Sequence, residues 1–91
     1  MIKKKKLKLL RKLRKDRDEV LRTDNEGRAH HLLYNMPGVK RVTIEHRFGD
    51  DPMCEVQFYN GFEFRSYGRF TTIEAMQKIV LRVYLQAANS I

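Results

Sequence analysis

Arg41-Val42-Thr43-Ile44-Glu45-His46-Arg47-Phe48 alternates along its whole length. Val42, Ile44, His46 and Phe48 fall on one side, and Arg41, Thr43, Glu45 and Arg47 on the other. A period of two is that of a strand with one buried and one wet face. Cys54, Val56 and Phe58 continue the pattern as a second strand, and Phe62 and Phe64 as a third. For the second hairpin, a three-residue Tyr59-Asn60-Gly61 loop sets Phe58 opposite Phe62, Val56 opposite Phe64 and Glu55 opposite Arg65. A two-residue loop would mix the faces, so the longer one is expected, with Gly61 in the left-handed region. For the first hairpin the same reasoning favours a Gly49–Met53 loop, pairing Phe48 with Cys54 and Arg47 with Glu55.

Outward from this meander the period becomes helical. Thr71 and Glu74 form a capping box, with Phe70 positioned to staple onto Ala75. Ile73, Met76, Ile79, Val80, Val83, Tyr84 and Ala87 then make one wide apolar face, flanked by Leu81 and Leu85. Upstream, Pro37-Gly38 ends a short helix with Ala29, Leu32, Leu33 and Met36 on its inner side. Thr23 and Glu26 predict its start. Residues 2 to 22 read as a long amphipathic helix with Ile2, Leu9, Leu13 and Val20 in one stripe. The expected class is α+β in the order ααβββα, with the C-terminal helix on one face of a three-stranded antiparallel meander. Residues 1–22 are expected to be a basic helix or arm, and residues 23–91 a compact α-βββ-α domain.

Charge separates these two parts. Met1 to Arg22 holds eleven Lys/Arg against Asp16, Asp18 and Glu19, which is the whole formal +8 of the chain. Thr23 to Ile91 holds eight bases and eight acids. Such a block concerns partners rather than fold, because counterion release draws cationic segments onto polyanions. Lys3, Lys4, Lys5, Lys6, Lys8, Arg11, Lys12, Arg14 and Lys15 are the expected phosphate contacts. An amphipathic basic helix also suits an anionic membrane surface, but no aromatic residue marks its apolar side. No apolar run is long enough to span a bilayer, and interspersed cations exclude a signal peptide. The lone Cys54 excludes an internal disulfide and fits a reducing, intracellular setting in cytoplasm, nucleoid or nucleus.

The wet side of the sheet is the second candidate surface. Arg41, Arg65, Tyr67 and Arg69 form its rim, while Glu45, Glu55 and Glu63 favour cross-strand ion pairs at its centre. Enzymatic constellations are absent. Adjacent His30 and His31 diverge on a helix, and no ligand spacing, phosphate loop or nucleophile elbow occurs. Gly49-Asp50-Asp51-Pro52 reads as a turn. No cofactor or metal is expected.

Tyr67-Gly68-Arg69-Phe70-Thr71-Thr72-Ile73-Glu74-Ala75, followed by Tyr84 and Ala87-Ala88, resembles the strand-three-to-helix junction of AP2-type domains and the related integrase arm-binding domains. The resemblance covers roughly residues 39 to 88. It implies a three-stranded sheet packed on one helix, with a free face that reads the DNA major groove through Arg41, Arg47, Arg65 and Arg69. The chain departs from that pattern in having no tryptophan and in the glutamates of its free face. The helix–sheet order also resembles double-stranded RNA-binding domains, but Thr71 to Ala75 lacks the lysine cluster that those place at the final helix.

The expected function is therefore small-protein nucleic-acid binding without catalysis, DNA ahead of RNA, in a regulatory or accessory role. A module docking its basic helix on an acidic protein is the rival. The apolar stripe of the first helix raises a further expectation, a homodimer through Leu13, Val20, Leu81 and Leu85.

Overall fold

The computed structural model describes residues 2–46, 52–66 and 71–91, with side chains from Lys4 onward. Three helices and three strands follow in the order α1 (Ile2–Arg22), α2 (Glu26–Tyr34), β1 (Val39–His46), β2 (Pro52–Phe58), β3 (Glu63–Ser66) and α3 (Thr72–Asn89). The strands form one antiparallel sheet in the order β1-β2-β3. This is the α+β meander that the change of period implies.

One side of the sheet is closed by helices. α3 lies on β2 and β3, and α2 on β1. Val42, Cys54, Val56 and Phe58 from the strands meet Met76, Ile79, Val80 and Val83 of α3 and Leu32 and Leu33 of α2 in a single core. Phe58 and Phe64 add an edge-to-face contact at 5.9 Å between ring centroids. A buried hydroxyl couples sheet to helix, as Ser66 Oγ donates to the carbonyl of Ala75 at 2.6 Å.

The second hairpin has the register expected from its face pattern. Val56 opposes Phe64 and Glu55 opposes Arg65, and Gly61 sits at φ +97°. The first hairpin differs. Ile44, not Phe48, opposes Cys54, Thr43 opposes Glu55, and Met53 lies within β2 opposite Glu45. The expected pairing would have carried Val42 past Phe58 into the turn. The observed one pairs β1 along its whole length and places Val42 against Val56. Both registers keep the same residues on the apolar face and keep Glu45 away from Glu55, so face pattern and charge do not separate them. Arg47, Phe48, the Gly49–Asp51 turn and the Phe70 staple lie outside the described residues.

The start of α2 also differs from expectation. Asn25 is the N-cap, its Oδ1 accepting from Arg28 N at 2.8 Å, while Thr23 Oγ1 accepts from Asn25 N. Thr23 N still donates to Glu19 O, so this residue belongs to the end of α1 and cannot open the next helix. Gly38, at φ +83°, makes the turn into β1, and an added Cβ there would stand 2.9 Å from Ser90 Oγ.

α1 packs across α2 and α3 rather than on the sheet. Leu13 (2 % exposed) and Val20 (fully buried) enter the common core. These two residues therefore cannot serve a homodimer, whereas Leu81 (52 %) and Leu85 (61 %) are exposed. α3 secures the end of α1 through Gln77, whose Nε2 donates to Val20 O at 3.0 Å and lies 3.3 Å from the carbonyls of Leu21 and Thr23. Those carbonyls have no partner further along α1, so the amide completes a helix terminus that would otherwise need water. Arg17 stacks over the Tyr84 ring at 4.6 Å.

Leu13→Ala is expected to cost ~2–4 kcal/mol in urea denaturation, while Leu85→Ala changes stability by under about 0.5 kcal/mol. Equal effects would show α1 to stand outside the cooperative unit. The α3 capping box predicts a pH dependence. The Thr71 backbone N–H, and then its hydroxyl, hold the Glu74 carboxyl below its ordinary value. A lowered folded-state pKa means stability present above the unfolded value and lost as pH falls through the folded one. Glu74→Gln should thus be less stable than wild type at neutral pH, with the difference closing below about pH 4.

Candidate nucleic-acid interface

Helical geometry sets the outer surface of α1. At about 100° per residue, Lys4, Lys8, Arg11, Lys15 and Arg22 fall within roughly 60° of arc, centred opposite Leu13 and Val20. Burial of Leu13 and Val20 against α2 and α3 therefore turns this stripe outward, and all five side chains are exposed. Lys5, Lys12 and Arg14 flank it, also exposed, whereas Lys6, exposed too, lies on the opposite side of the helix, nearly two turns before Leu13. From Lys4 to Lys15 successive stripe residues rise about 4.5–6 Å along the axis, a spacing that can follow a phosphate backbone, and Arg22 follows about 10.5 Å further on.

The three acids of α1 are all engaged. Asp16 pairs with Lys12 at 2.7 Å, Asp18 with Arg17 at 2.8 Å, and Glu19 with Arg28 of α2, whose Nη2 donates at 3.0 Å. The Arg28 hydrogen bond holds the Glu19 carboxyl below its ordinary value, and Glu19 raises the guanidinium in return. All three acids lie in the second half of the helix. Among the described residues no carboxylate pairs with Lys4, Lys5, Lys6, Lys8, Arg11, Arg14 or Lys15. No side chain from Lys4 to Leu9 is buried. The N-terminal half of α1 is thus a cationic rod carrying little of the core.

The free face of the sheet is different. Arg65 Nε donates to Glu55 Oε2 and its Nη2 lies 3.4 Å from Glu63 Oε2. Gln57 Nε2 donates to Glu55 Oε1 at 2.9 Å and approaches Glu63 Oε1 at 3.4 Å. The centre is a bonded lattice of two carboxylates and one guanidinium, as the cross-strand charges lead one to expect. Of the rim, Arg41 is exposed and Arg65 is committed to this lattice. Arg47, Tyr67 and Arg69 lie outside the described residues, as do the first four residues of the stretch that resembles AP2-type domains. Met53 shares this side with Glu45 and Glu55 yet is only 4 % exposed, so the face is not uniformly wet.

The two surfaces are not brought together. α2 and α3 separate α1 from the sheet, so the cationic stripe and the free sheet face look in opposite directions. A straight duplex lying on one does not touch the other.

His30 Nε2 lies 3.2 Å from Val42 O, while His31 points elsewhere, towards Asn35. His30 and His46 line a cavity of about 360 Å³ with Glu26, Gly27, Ile44, Thr72 and Met76. No group of three metal-ligating side chains occurs among the described residues. No helix there is long and apolar enough to cross a membrane. Cys54 is fully buried, and burial, then the charge of Glu55, push its thiol up to about 12.

Three contacts were not read from the sequence. These are the Gln77 amide on α1, the Arg17–Tyr84 stack and the Glu19–Arg28 bridge. The apolar position of Tyr84 and the half-buried positions of Arg17 and Gln77 at the α1–α3 seam are their signals, and these emerge only once α1 is laid on α3. Compared with protein-family models, curated proteins and solved structures, the chain matches none.

Native Cys54 should resist a disulfide-exchange reagent at pH 8, reacting only at the rate of unfolding, and should react within minutes in denaturant. Prompt reaction of the folded chain would show an accessible thiolate and reopen nucleophilic chemistry.

Proposed function

We propose that this chain is a small non-enzymatic nucleic-acid-binding protein that lays the outer face of α1 along duplex DNA, in a regulatory or accessory role. The carrying observation is the exposed stripe Lys4, Lys8, Arg11, Lys15 and Arg22, which has no ion-pair partner among the described residues and is turned outward by the burial of Leu13 and Val20. Cations whose only counterions are mobile gain most from meeting phosphates, because those counterions are released. A bare helix is also of a width that the major groove admits. Duplex DNA is placed ahead of duplex RNA because the deep, narrow major groove of A-form RNA does not admit a helix. The sheet has a smaller part in this reading, as its central arginine is already held by carboxylates. Any contribution from its rim rests on Arg41 together with Arg47, Tyr67 and Arg69. The resemblance to sheet-reading DNA-binding domains supports the choice of nucleic acid but not the choice of surface.

Deleting α1 would strip Leu13 and Val20 from the core, so the test uses substitution. Lys4→Gln, Lys8→Gln, Arg11→Gln and Lys15→Gln are combined in one chain and compared with wild type on labelled duplex DNA, duplex RNA and single strands across a salt series. The slope of log affinity against log salt on DNA should become shallower by about 3.6, with at least tenfold weaker binding near physiological salt. Unchanged helicity by circular dichroism shows that the fold persists. Absence of wild-type binding to every nucleic acid at that salt would overturn the reading.

A further inference from the structure

The first turns of α1 stand clear of the body. Leu13 is buried, but Leu9, one turn earlier on the same side, is 48 % exposed. Lys6, almost another turn back on that side, is exposed as well. Leu9 still lines a cleft with Asn35 and Pro37, just past the end of α2. α1 and α3 run antiparallel, since Gln77 meets Val20 and Tyr84 meets Arg17. Ending at Asn89, α3 therefore stops roughly level with Lys12. Residues 2–8 project beyond both helices by about 9 Å.

The cations of this projection point in opposing directions. At about 100° per residue, Lys6 lies about 160° from Lys4 and about 160° from Lys8, with Lys5 between. All four are exposed, and none pairs with a carboxylate among the described residues. A partner that meets one side of the helix leaves part of this charge unused. An acidic protein face meets one side, and so does a membrane, whose acyl boundary Lys6 would also have to enter from the middle of the apolar stripe. The major groove of DNA is different. It is about 12 Å wide and about 8.5 Å deep, is walled by a phosphate backbone on either side, and admits an α-helix. Its depth is close to the length of the projection. We infer that the projecting turns of α1 sink into the major groove of duplex DNA, with Lys4 and Lys8 on the phosphates of one strand and Lys6 on those of the other. Arg11 and Lys15 then continue on the outer stripe against the first strand. This rests on the nucleic-acid reading above and specifies which part of α1 enters the groove and what each cation meets there.

The test sets two duplexes of one sequence against each other, one plain and one whose cytosines carry glucosylated 5-hydroxymethyl groups. The sugars fill the major groove and leave the phosphates in place. The full chain should bind the plain duplex at least tenfold more tightly. On the plain duplex, Lys6→Gln should make the salt slope shallower by about 0.9 and weaken binding near physiological salt about fivefold. Arg82→Gln removes the same charge from an exposed position on α3 and should leave the slope within about 0.3 of wild type. Both replaced side chains are exposed, so the thermal midpoints of the two variants should match wild type. Equal affinity of wild type for the two duplexes would overturn insertion into the groove while leaving the phosphate-binding reading in place. So would a Lys6→Gln slope no different from that of Arg82→Gln. A wild-type chain that binds neither duplex would overturn both readings together.

Discussion

Two apolar side chains, Leu13 and Val20, hold the most charged segment of the molecule against the rest. Everything that α1 presents depends on that attachment. A helix with four consecutive lysines near its start works against its own dipole and against mutual repulsion, and has little reason to persist alone in water. Burial of Leu13 and Val20 offsets this in its second half. The Gln77 amide and the Arg17–Tyr84 stack then fix its rotation. With the rotation fixed, the outward direction of Lys4, Lys8, Arg11 and Lys15 follows from the helical repeat.

The acids are placed consistently with this. Asp16, Asp18 and Glu19 occupy the turns where α1 is docked, and each has a cation beside it. The first turns have neither docking nor acids. One helix thus combines an electrically balanced half belonging to the core with an unbalanced half belonging to whatever it meets. The sheet repeats the balanced pattern, with Glu55, Arg65, Glu63 and Gln57 bonded to one another across the strands.

Most of the architecture was legible because its signals are local. The period-two runs, the Gly61 turn and the Thr71–Glu74 box each specify geometry within a few residues, and the element order follows from them. The first hairpin was misread because two registers four residues apart leave the same face apolar, and only the pairing length of β1 distinguishes them. The start of α2 was misread because Thr23 had a competing role at the end of α1. For the surfaces, residue type and spacing identified the cations of α1 as exposed and the sheet centre as ion-paired. Sequence could not show that the two surfaces face apart. That follows from α1 packing on α2 and α3, a long-range arrangement with no local signature.

This opposition has a consequence for motion in solution. Cations gather on the outside of α1, while on the far side of the molecule Glu55 and Glu63 are balanced by Arg65. A net charge displaced in this way from the centre of the molecule acts as a dipole about that centre. In the field of a polyanion such a body feels a torque before it feels contact. It arrives already turned, helix first and sheet trailing, so fewer encounters are wasted on wrong orientations. The sheet face is then left towards solvent.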